Sequence, residues 1–88
     1  MATKLIQDTD KFVAHCLVMA HDIMRLQARN TWIDYDEEAD VLYMSFRKPQ
    51  RANNTVEISE DVLIRKDDNE IVGITIMNAS AQKNIAEL

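Results

Sequence analysis

The chain has 88 residues, room for one small domain and not for two. Apolar residues make up 47% of it, which excludes disorder by composition, and no apolar run approaches the ~20 residues of a membrane span. A net charge of −5 repels phosphate, so charge-driven nucleic-acid binding is excluded and Arg47-Lys-Pro-Gln-Arg51 reads as an ordinary basic loop.

The first element is a helix. From Asp8 to Arg29 the apolar residues repeat with helical spacing. Phe12, Cys16, Met19, Ile23 and Leu26 form one row, and Val13, Leu17, Ala20 and Met24 form a second beside it. Asp8 and Asp10 suit the N-terminal end of the dipole, Arg25 and Arg29 the C-terminal end. Asn30 is the expected left-handed cap. Charges interrupt the apolar middle of residues 1–30 and no small-residue cleavage site follows, so this is not read as a signal peptide. The single Cys16 cannot form an internal disulfide, which fits a reducing cytoplasm and a small buried hydrophobe.

From residue 31 the period changes to two. Strands are expected over 31–35, 40–47, 55–59, 62–66 and 71–78. Lys66-Asp-Asp-Asn-Glu70 reads as a hairpin turn with Asn69 at positive φ, and Ser80 is placed to cap a short helix over 80–85. Strands so close in sequence pair antiparallel, because a parallel pair needs a long crossover. The expectation is one α+β domain. A long helix (1–30) packs on an antiparallel meander of four to five strands (31–78), and a helical tail (79–88) closes the chain.

Several of these residues form a recognisable set. Tyr35-Asp36, Glu38-Ala39-Asp40, Leu42-Tyr43, Val62-Leu63-Ile64, Ile71-Val72-Gly73-Ile74, Ile76 and Ala79-Ser80 resemble a small prokaryotic family, domain of unknown function 2283. The resemblance covers about residues 32–80 and leaves out the N-terminal helix. Asn69 stands where that family is expected to have Gly. The resemblance implies the sheet and no established activity. It also implies an antitoxin-like role beside a small toxin, since relatives are encoded next to such proteins.

The acidic stretch Asp34-Tyr-Asp-Glu-Glu-Ala-Asp40 raises the question of a metal or acid/base site. A calcium loop counted from Asp34 needs Gly sixth and Glu twelfth, and Ala39 and Ser45 stand there instead. A hairpin tip also has no wall to exclude water. Asp36 and Asp40 are therefore read as turn-capping carboxylates bonded to backbone N–H groups. The alternative is a small metal-dependent hydrolase using Asp34, Asp36, Glu38 and Asp40. His15 and His21 are six apart on the helix, which is not the three or four of a metal pair, and they belong to the solvated face. No residue set calls for a cofactor.

The apolar content is excessive for one covered face. With the first hairpin turning at 37–39, Trp32, Leu42, Met44 and Phe46 share one face with Val56, Ile58, Val62, Ile64, Val72, Ile74 and Ile76. The other face then carries Ile33, Tyr35, Val41, Tyr43, Leu63, Ile71 and Met77. One helix covers one face only, and the helix itself has two apolar rows. Both excesses point to a homodimer or larger assembly, with Val13, Leu17, Ala20, Met24, Tyr43 and Met77 as interface candidates. The sequence thus reads as a non-enzymatic, self-associating interaction module whose partners are itself and a small protein such as a toxin. It is expected to engage neither nucleic acid nor membrane.

Overall fold

Asp8 opens the first element. Its carboxylate accepts the Lys11 N–H at 3.0 Å, and the helix α1 (Thr9–Leu26) follows from it. The computed structural model describes residues 8–83. After α1 come β1 (Trp32–Asp36), β2 (Val41–Ser45), β3 (Asn54–Glu57), β4 (Val62–Asp67) and β5 (Glu70–Met77), then a 3-10 turn (Ala79–Ala81). The expected α+β class and all five strands are present. The helix ends earlier than expected. Gln27, not Asn30, takes the left-handed conformation at φ 60, and its N–H returns to the Met24 carbonyl.

The strands form one antiparallel sheet in the order β1-β2-β5-β4-β3. This corrects the meander: β5 returns to lie between β2 and β4. It is the longest strand, eight residues, and the central place gives it a hydrogen-bonding partner on both edges. The connection from β2 to β3, residues 46–53, must therefore cross the ends of β5 and β4. It is pinned there. Arg47 donates to Asp67 at 2.6 Å and to Glu70 at 3.3 Å, on either side of the β4–β5 turn. Asn53 exchanges two bonds with Asp68, both 3.1 Å. Lys48 Nζ stands 5.5 Å from the Trp32 ring centroid, joining the loop to β1.

Asp68, not Asn69, holds the positive φ of that turn, at 55°. The physical reason is the Asn53 bridge, which fixes both the Asp68 N–H and its carboxylate. The first hairpin also differs by one residue. Its loop spans four residues, with Asp40 at φ 57, and Asp36 pairs with Val41. A one-residue change in register reverses every side chain of β1. Ile33 and Tyr35 therefore share a face with Leu42, Met44, Val56, Val62, Ile64, Val72, Ile74 and Ile76, and Trp32 moves to the other. One face is thus apolar on every strand. The opposite face is mixed, with Trp32, Val41, Tyr43, Leu63 and Met77 among Asp34, Ser45, Arg65 and Glu57, while a bulge between Arg65 and Lys66 sets Ile71 opposite Lys66 on the apolar side.

The helix does not cover the apolar face. None of its residues is buried, and only Cys16 and Ile23 are half-buried. It meets the sheet at its C-terminal end, where Leu26 to Arg29 face Phe46, Arg47 and residues 70–72 across a gap. Helix packing along the sheet was the expectation; an end-on contact is what the residues make. Among the described residues Val72, 1% exposed, is the sole buried apolar side chain. The radius of gyration is 14.6 Å, against about 12 Å for a compact chain of this length. At the C-terminus Asn78, not Ser80, precedes the 3-10 turn, and Gln82 is already extended. The rest of the expected tail, 84–88, lies outside the described residues, as does the start of the expected helix, 1–7.

Candidate interaction surface

The helix residues that the sequence singled out are in water. Val13, Leu17, Ala20 and Met24 step by four, three and four along one stripe, and all are exposed, Leu17 by 59% and Met24 by 66%. The neighbouring row fares little better, since Phe12, Met19 and Leu26 are exposed too. Val18, 63% exposed, lies outside both rows and was not picked out; its signal was only that it widens an already apolar helix. Tyr43 is exposed on the mixed face, beside Trp32 across the β1–β2 pair, while Met77 is half-buried. The structure therefore places Val13, Leu17, Ala20 and Met24 together and sets Tyr43 and Met77 apart on a different surface.

Sequence reasoning missed Ile33 and Tyr35 as members of the apolar face. Both are exposed at the sheet edge, where they extend the apolar surface beyond β2 and β5. The signal that decides it is the four-residue loop, whose length is not readable from DYDEEAD.

The acidic turn is a hydrogen-bonded corner. The Asp36 carboxylate accepts the Ala39 N–H at 3.1 Å, which closes the turn as expected. Asp40 does more. It accepts the Tyr35 hydroxyl at 2.6 Å, the Ser80 hydroxyl at 2.8 Å and the Ser80 N–H at 3.1 Å, and its carbonyl accepts the Ala79 N–H at 3.0 Å. The Tyr35 hydroxyl, and then Ser80, hold the Asp40 carboxyl below its usual range. The same bond to Asp40 raises the Tyr35 phenol. A second acid, Asp61, supports the turn from the other side by accepting from Asn78 Nδ2 at 3.0 Å and Gln82 Nε2 at 3.1 Å. The two carboxylates thus fasten the 3-10 turn to the end of the sheet. Among the described residues no three His, Cys, Asp or Glu side chains are grouped to hold a metal ion. His15 and His21 both stand exposed on α1.

The sequence pattern of the family described as a protein of unknown function (DUF2283) matches residues 32–80, more than half of the chain. The chain belongs to the DUF2283 family. No curated protein and no solved structure matches it. Set against the structure, the DUF2283 match begins at β1 and ends inside the closing turn, so it takes in the whole sheet and leaves α1 outside. Tyr35, Asp40, Ala79 and Ser80, far apart in the matched segment, are the members of one corner. Gly73 of the DUF2283 segment also has a physical reason. Gln50 folds over it to donate to Ser45 Oγ at 2.7 Å, and a Cβ at position 73 would strike the Gln50 amide. No helix among the described residues is long and apolar enough to cross a membrane.

Proposed function

We propose that this DUF2283 chain is a non-enzymatic, cytoplasmic interaction module that works as a homodimer or larger assembly. One observation carries the reading: a chain that is 47% apolar buries a single apolar side chain among its described residues. Full burial of a large aliphatic side chain contributes roughly 1.5–3 kcal/mol. Leaving most of a helix in water and a sheet face only half-buried forgoes the stability a small domain depends on, and association recovers it. Static light scattering is the test. A mass of twice the 10.1 kDa chain or more is expected at micromolar concentration, and a mass of one chain overturns the reading.

A protein partner besides a second copy, such as a small toxin, fits the mixed face. Trp32 and Tyr43 are exposed there, and aromatic side chains of this kind anchor protein interfaces. An antitoxin-like role would use that face. The competing enzymatic reading needs the acidic turn to bind a divalent ion. Against it stands the engagement of Asp36 and Asp40 in turn bonds. Calorimetric titration with calcium, magnesium, manganese and zinc is expected to show nothing tighter than millimolar. Saturable micromolar binding lost in Asp36→Asn would revive the hydrolase.

A further inference from the structure

We infer that α1 of one copy lies across the apolar sheet face of a second copy, and that the exchange is reciprocal. The inference rests on the self-association proposed above and names its geometry. The chain carries two apolar surfaces that suit each other and that its own fold does not join. One is the α1 stripe containing Leu17 and Met24. The other is the sheet face containing Ile33, Met44, Ile64 and Ile74. Within one chain the helix and sheet meet only at the helix end, around a cavity of about 470 Å³. Packed cores carry few voids larger than a water molecule, so this is not a finished contact.

The areas agree with a second copy. The chain exposes 7458 Å², whereas a compact chain of 10.1 kDa exposes about 5300 Å². Residues 1–7 and 84–88 are outside the described span. Counting them as wholly extended chain at about 1.45 Å² per dalton still leaves an excess of about 700 Å² in the rest. One partner contributes about 800 Å² to a standard interface, so the excess alone is of interface size. The dimensions agree too. An 18-residue helix is about 27 Å long, and the outer strands of a five-stranded sheet lie about 19 Å apart. The helix therefore spans the sheet from edge to edge.

A second copy also leaves neither of these two surfaces uncovered, since each α1 stripe gains a sheet face and each apolar face a helix. Pairing helix with helix, or face with face, would leave the other surface in water. Charge sets the orientation. Arg29, Lys48 and Arg51 offset the carboxylates of Asp68 and Glu70 at the end of the sheet where the crossing loop runs, whereas Glu37, Glu38 and Glu60 crowd the opposite end. Like ends repel, so the copies meet antiparallel, as a two-fold axis provides.

Paramagnetic broadening between mixed copies tests this. A chain with Cys16→Ser and Asp22→Cys, carrying a nitroxide on the helix, is mixed with an isotope-labelled chain that has no nitroxide. Only contacts between copies are then seen. Loss of the amide signals of Met44, Ile64 and Ile74 in the isotope-labelled chain is expected. Broadening confined to that chain's α1 amides, or none in a sample that light scattering shows to be dimeric, overturns the helix–sheet exchange and leaves self-association standing. A monomeric unmodified chain overturns both. A second nitroxide chain, Arg25→Cys with Cys16→Ser, reads the same contact about one turn nearer the C-terminal end of the helix and guards against one variant failing to fold.

Discussion

At the scale of residues, the corner made by Tyr35, Asp40 and Ser80 determines how the chain responds to pH. Asp40 is held below its usual value of about 4, so its contribution is whole above that pH and is lost as pH falls through the lowered value. Tyr35 is raised above its usual value of about 10, because ionising it would break the hydrogen bond its hydroxyl donates to Asp40. Its contribution is whole below pH about 10 and is lost as pH rises through the raised value. The corner is thus intact across the neutral range and opens at both extremes. Asp40→Asn is expected to flatten the acid limb of a urea midpoint against pH, and Tyr35→Phe the alkaline limb. Limbs that stay parallel to the parent's would show that the corner is idle. Gly73 gives a second residue-scale prediction. Gly73→Ala forces Gln50 off Ser45 and is expected to cost about 0.5–1.5 kcal/mol, the worth of one hydrogen bond. Truncating Gln50 to Ala in the same chain should return part of that loss in denaturant unfolding. The carboxylate–backbone bond of Asp36 was legible from sequence, since it joins residues three apart. The bond from Asp40 to Ser80 was not, because it spans forty residues and depends on how the sheet closes.

At the scale of elements, the crossing loop decides the topology. A hairpin needs only its own turn, but placing β5 between β2 and β4 obliges residues 46–53 to pass the turn at Asp68. Asn53 holds the two together with both of its side-chain groups. Asn53→Ala removes two hydrogen bonds of roughly 1 kcal/mol each. The expected local signature is faster hydrogen exchange at the Asp68 amide, which donates to Asn53 Oδ1, with the β1–β2 amides unchanged. Uniform acceleration over the whole sheet would mean that the bridge is not local. The helix, by contrast, was legible from its own residues. Its period and the acids at its start are set within one or two turns, and among the described residues only its last few were misplaced.

At the scale of the whole molecule, stability and assembly are one quantity if the apolar surfaces are covered by another copy. The unfolding midpoint is then expected to rise with protein concentration, as mass action requires of an assembly whose folded form binds itself. Leu17→Glu with Met24→Glu should abolish that dependence, lower the midpoint and leave a β-rich monomer by circular dichroism. A midpoint independent of concentration in the unmodified chain would give the exposed helix another purpose.

Sequence by itself determined the class of each element: the helix over α1, the five strands, the antiparallel pairing and the apolar surplus. These follow from side-chain periodicity and short connections, which act over a few residues. Tertiary structure alone decided three things. It decided that β5 is central, that Ile33 and Tyr35 join the apolar face, and that the helix leaves that face uncovered. The reason is the same in each case. A single residue of loop length reverses a strand, and a crossing loop is held by partners remote in sequence. Whether a helix lies on its own sheet depends on the joint between them, here five residues that open with a left-handed Gln27.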